Sequence, residues 1–124
     1  MKKRGLVLFA HGARDPRWAE PFERLQQRVR ALAPDAEVRL CYLELMHPNL
    51  EGAIAELVAI GVGAIRVVPV FLGQGGHVRR DLPGLIAAAQ GRFTGTRISV
   101  AAPAGEDDAV LEALARYCVG GGKY

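Results

Sequence analysis

Leu6-Val7-Leu8-Phe9-Ala10-His11-Gly12-Ala13-Arg14-Asp15-Pro16 decides how this chain folds. Five apolar residues in a row read as a short strand, and one without polar alternation is covered on both faces. Asp15-Pro16 then marks a helix start, with an acceptor side chain at the cap and a proline where no amide donor is needed. Strand, polar loop and helix form one unit, and the unit recurs along the chain. Further apolar runs at Val38–Leu43, Ala64–Leu72 and Arg97–Ala102 are the expected second to fourth strands. Helical spacing appears at Phe22, Leu25, Val29 and Leu32, at Leu50, Ile54, Leu57 and Val58, and at Leu82, Leu85, Ile86 and Ala89. Val110, Ala113, Leu114, Tyr117 and Cys118 make a fourth stripe. Each stripe is expected to bury one helix face on a sheet. Gly61 and Gly91 stand where helices should stop, and Glu106-Asp107-Asp108 puts negative charge on the first turn of the last helix. The order βαβαβαβα predicts one doubly wound α/β domain over residues 1–119. It is a four-stranded parallel sheet with helices on both faces and right-handed crossovers, followed by a flexible tail at 120–124.

Composition agrees with a packed domain. Half of the 124 residues are hydrophobic, which excludes disorder as the main state, and 13.3 kDa leaves room for one domain. The net charge of +3 is spread over both halves, so the pI of 9.2 is weak evidence for nucleic acid. Cys41 and Cys118 form neither a Cys-x-x-Cys motif nor a secreted disulfide framework. Lying in apolar runs, both read as buried small hydrophobes. No apolar stretch approaches the ~20 residues of a membrane helix. Met1-Lys2-Lys3-Arg4 before Gly5–Ala10 imitates a signal peptide, but the apolar run ends at His11, short of the ~7–15 residues required. The expected location is the cytoplasm, with no membrane partner.

In doubly wound sheets, ligands bind at the carboxyl ends of the strands. That rule selects the loops at 11–17, 44–48, 73–77 and 103–106. All three histidines of the chain, His11, His47 and His77, fall in these loops. A neutral imidazole is a ligand for Co, Ni, Fe or Zn, but a loop histidine equally serves as an ordinary helix cap. Glu44 closes the second strand, as a proton acceptor, a cation ligand or a solvated helix-start acid. Gly73-Gln74-Gly75-Gly76-His77 invites comparison with a phosphate cradle, but Val78 occupies the place of a third fingerprint glycine and no Gly-Lys-Ser/Thr follows. The glycines alternatively leave room for a flat ligand. Arg14, Arg17, Arg79 and Arg80 flank the first and third loops, as solvated helix residues or as a fork for an anionic ligand. Ser99, the only serine, lies inside the fourth strand, which excludes a nucleophile-elbow hydrolase. The few aromatics exclude a base-stacking surface.

Taken together, His11-Gly12-Ala13-Arg14-Asp15-Pro16, Tyr42-Leu43-Glu44, and Val68-Pro69-Val70-Phe71-Leu72 running into Gly75-Gly76-His77-Val78-Arg79-Arg80-Asp81-Leu82-Pro83 resemble the short CbiX-type sirohydrochlorin cobaltochelatases. The related sirohydrochlorin ferrochelatases share the pattern. The resemblance covers roughly Leu6 to Pro103 and implies a flavodoxin-like chelatase half-domain. It implies insertion of a divalent metal, cobalt first with Fe or Ni as alternatives, into a carboxylate-rich tetrapyrrole. His11 and His77 would then hold the metal, and Glu44 would handle metal or protons. Arg14, Arg17, Gly75, Gly76, Arg79 and Arg80 would meet the tetrapyrrole. No tightly bound cofactor is implied, since the metal is a substrate, and the short members pair as homodimers. Ala13 departs from the serine of many relatives, and His47 matches no ligand position. Two further readings stand beside it: a metal or tetrapyrrole carrier that uses the same residues without turnover, and a phosphate- or nucleotide-binding flavodoxin-like module resting on Gly73 to Gly76.

Overall fold

The computed structural model describes residues 4–73 and 75–120, with the backbone alone at His77. Its strands are β1 (Arg4–Ala10), β2 (Ala36–Tyr42), β3 (Ala64–Pro69) and β4 (Arg97–Val100). They form one parallel sheet in the order β2-β1-β3-β4. The helices are α1 (Glu20–Leu32), α2 (Leu50–Ala59), α3 (Gly76–Arg92) and α4 (Asp108–Val119).

The register explains the unbroken apolar run in β1. Phe9 lies opposite Cys41 on β2 and Pro69 on β3, so β1 is enclosed from both edges. Val7 and Phe9 point into one core with Ile54 and Leu57 of α2 and Val78 and Leu82 of α3. Leu8 and Ala10 point into the other, with Val38, Leu40 and Tyr42 of β2 against Phe22, Leu25 and Val29 of α1. Both faces are thus covered, as the sequence predicts. Phe9 and Phe71 meet edge-to-face at 5.8 Å, tying β1 to the segment beyond β3.

Several boundaries differ from the expectation, each for a local reason. Asp15 is a cap, its carboxylate accepting from the Arg17 amide at 2.9 Å, but Pro16–Ala19 form a 3-10 turn before α1 begins. Gly61 takes φ 89° just beyond α2, whereas α3 runs past Gly91 to Arg92 and is capped at Phe93. Gly76 and His77 belong to the first turn of α3, because Gly75 already serves as its cap. Pro69 ends β3, so Val70–Leu72 continue as loop. Asp107 caps α4 through the Val110 amide at 3.1 Å. Gly120, taken with the expected tail, closes α4 in the left-handed conformation at φ 67°, and residues 121–124 lie outside those described.

Three readings of the apolar pattern are corrected. The stripe on α4 buries no residue, and Leu114 and Tyr117 are exposed. Leu32 at the end of α1 and Leu85 on α3 are exposed although their stripes were expected to be buried. Cys118 is exposed with α4, whereas Cys41 is buried and its thiol is pushed up to about 12 by burial. Amphipathic spacing states that a helix has a face to cover, but not what covers it. Among the described residues no helix is long and apolar enough to cross a membrane.

Candidate functional site

The sheet order places the ligand-binding switch point between β1 and β3, because their following connections leave toward opposite faces. His11 follows β1 directly, and His77 stands on the first turn of α3 after β3. The backbone therefore brings both histidines to the carboxyl ends of neighbouring strands. Glu44 arrives from β2, on the other side of β1.

Hydrogen bonds carry the β1–β2 ladder beyond the strands. The Leu43 amide donates to the Ala10 carbonyl at 2.9 Å, and the Glu44 amide to the His11 carbonyl at 3.2 Å. The 43–48 loop closes on itself where the Tyr42 amide donates to the Pro48 carbonyl at 3.0 Å. Asn49 then starts α2 by accepting from the Gly52 amide at 2.8 Å. This closed loop sets the Glu44 carboxylate beside the imidazole, with His11 Nε2 3.3 Å from Glu44 Oε1. The two side chains are 49% and 51% exposed, so a hydrated cation reaches the pair without opening the fold.

Gly12 makes that approach feasible. It has φ 99°, and a Cβ there would lie 1.9 Å from the Glu44 carbonyl oxygen. Gly105 permits a similar approach between the loops that follow β3 and β4: a Cβ would lie 1.7 Å from the Leu72 carbonyl oxygen, and its amide donates to the Phe71 carbonyl at 2.9 Å. Neither role was legible locally, since the crowding atom is distant in sequence in both cases.

The arginines divide. Arg80 lines an open cavity of about 490 Å³ with Leu43, Glu44, Asp81, Gly84 and Leu85. Arg79 lines a different one, of about 430 Å³, with Leu82, Pro83, Ile86 and Val100. Arg14 is exposed on the His11 loop. Arg17 is engaged with Asp15, donating from Nη2 at 2.7 Å and from Nε at 3.1 Å. That side-chain pairing, with the Arg17 amide, holds the Asp15 carboxyl below the usual carboxylate range. A Cβ on Gly75 or Gly76 would meet nothing within 4 Å, so open space borders the start of α3. His47 is exposed in the Glu44 loop.

Fold and site together define a class: a doubly wound α/β domain with a solvent-open imidazole–carboxylate pair at the carboxyl ends of β1 and β2, beside the switch point of its sheet. The CbiX family model matches residues 5–118, and the chain belongs to the CbiX family. Among curated relatives, the sirohydrochlorin cobaltochelatase of Methanosarcina acetivorans is 34% identical over 86 residues, covering 69% of this chain and 66% of that protein. The chain spans less than two thirds of the first methanogen relatives it matches. Among solved structures, a cobalamin (vitamin B12) biosynthesis CbiX protein from Marinobacter aquaeolei VT8 superposes with TM-score 0.81 at 31% identity, over 93% of both chains. SirB, the sirohydrochlorin chelatase of Bacillus subtilis subspecies spizizenii, in complex with cobalt, matches with TM-score 0.80 at 28% identity over 94% of this chain and 50% of SirB. SirB from Bacillus subtilis has also been solved with Fe3+.

Proposed function

We propose that this chain inserts a divalent metal, cobalt first, into sirohydrochlorin, exchanging the ion for the two inner pyrrole protons. The observation that carries this reading is the half-exposed His11–Glu44 pair at 3.3 Å in a chain of the CbiX family. His11 and His77 hold the arriving ion as neutral ligands while its remaining positions stay open for ring nitrogens. Glu44 accepts a pyrrole proton and, being half exposed, passes it to solvent. Arg80 in the Glu44 cavity and the exposed Arg14 of the His11 loop take peripheral carboxylates, with Arg79 and Arg17 available only beyond that cavity. Gly75 and Gly76 leave the space that a flat ring requires. The metal is substrate throughout, and the reading places the reaction in the cytoplasm.

Iron is the second metal, favoured by the Fe3+ complex of SirB. Purified protein mixed with sirohydrochlorin and Co(II) should convert many equivalents of ring, followed by absorbance. A rate equal to the spontaneous one ends the proposal, and uptake of a single equivalent assigns a carrier instead. Comparing Co(II) with Fe(II) in the same assay ranks the metals.

The working unit is a homodimer. A domain of this length has a radius of gyration of about 14 Å, so one half-cleft covers little of a tetrapyrrole. Two apolar surfaces are also uncovered: the exposed stripe of α4, and a groove of about 510 Å³ bordered by Leu6, Leu8, Phe22, Leu25 and Val68. SirB, with twice the length, accommodates this fold in half of its chain. Light scattering should return twice 13.3 kDa. Tyr117→Glu on α4 should shift the mass toward the monomer, and a wild-type mass of one chain removes the dimer.

A further inference from the structure

A carboxylate stands beside one of the two metal-holding imidazoles, Glu44 at 3.3 Å from His11. An imidazole that binds a metal uses one ring nitrogen for the ion, and the N–H of the other needs an acceptor to fix its tautomer and angle. The course of α3 supplies such a group for His77.

α3 carries two stripes. Val78, Leu82 and Ala89 are buried in the core, with Ile86 packed against it. Arg80, Asp81, Gly84 and Leu85 form the other stripe and wall the cavity of about 490 Å³ that Glu44 also lines. Positions three and four apart share a helix face, so position 77 continues the rows 80–81 and 84–85 toward the rim. Asp81 thus stands one turn beyond His77, at a spacing that separates Cβ positions by about 5–6 Å. Helical side chains lean toward the amino end, which carries Asp81 back over the turn of His77.

Helix capping does not account for an acid here. Asp81 is the only acidic residue of α3, and it lies past the first turn, which Gly75 caps, where no orphan amide needs an acceptor. Ion pairing along the helix leads to the same neighbour. Of the positions three and four away, Val78, Gly84 and Leu85 carry no side-chain donor, and only His77 does.

We infer that Asp81 is a positioning residue for His77: its carboxylate accepts the ring N–H and turns the other nitrogen toward the metal. Each metal-holding imidazole then has a carboxylate of its own, Glu44 from the loop after β2 and Asp81 from α3. This rests on the proposed chelatase reading and deepens it, by extending the metal-holding machinery one turn along α3.

The test is Co(II) binding to the full chain without tetrapyrrole, followed by the visible absorption of the bound ion. Asp81→Ala should weaken Co(II) binding roughly tenfold or more. Asp81→Asn, which keeps an acceptor oxygen, should recover to within about threefold of wild type. In a His77→Ala background, Asp81→Ala should add no further loss, because its effect runs through the missing ring. Cobalt insertion should slow with KM for sirohydrochlorin unchanged. If the alanine variant melts early, Asp81→Leu, branched like aspartate but without an acceptor, repeats the test. Unchanged Co(II) affinity on loss of the carboxylate overturns the inference, and so does an equal loss with and without His77. Wild-type Co(II) affinity in His77→Ala removes His77 as a ligand and this inference with it. Coupled Co(II) binding without any insertion into sirohydrochlorin strikes the chelatase reading alone.

Discussion

His11→Ala should slow cobalt insertion roughly 100-fold or more and leave the fold standing. The imidazole is half exposed and its described side-chain partner is Glu44, so removing it vacates no core. The backbone bond from the Glu44 amide to the His11 carbonyl survives the substitution. The Glu44 loop therefore stays in place, and only the ligand is lost. His77→Ala should behave alike, since its position on the first turn of α3 belongs to the same rim. Steady-state insertion kinetics beside a thermal melt separate ligand loss from unfolding. An unchanged melt with more than a third of wild-type activity would remove His11 from the metal-holding role.

Gly12→Ala should cost both stability and activity. Two penalties combine: an L side chain at φ 99°, and a Cβ 1.9 Å from the Glu44 carbonyl oxygen. The first is worth about 1–2 kcal/mol, and relief of the second must separate the two loops, for a total of about 3 kcal/mol. In a domain of this size that lowers Tm by roughly 10 °C. Gly61→Ala is the matched control. Its φ is 89°, but a Cβ there meets nothing within 4 Å. It should lose about 1 kcal/mol and keep full insertion activity. Equal losses at the two glycines would show that the approach of Gly12 to Glu44 has no special weight.

Much of the architecture was legible because it is written in local period and composition. β1 could be read as a strand covered on both faces from five consecutive apolar residues, and the structure packs α1 on one face and α2 and α3 on the other. The candidate site was half legible. Histidines and Glu44 fell in the loops that a parallel sheet collects at one rim, and the shared motif tied them to a family. The four arginines looked equivalent in sequence, yet Arg17 is bonded to Asp15 and Arg79 and Arg80 line different cavities. Arginines one or three positions apart in a helix or turn look identical to a spacing argument until their partners are known.

From its residues alone this chain declares alternating strands and helices, a parallel sheet, and the set of groups at its carboxyl rim. Side-chain period selects element type, and turn residues end each element, so both need only near neighbours. Tertiary structure alone decided that Glu44 meets His11, that Leu45 is held left-handed, and that α4 buries none of its residues. Those outcomes depend on which atoms arrive from distant parts of the chain, and close approach between such atoms has no signature in a short window of sequence.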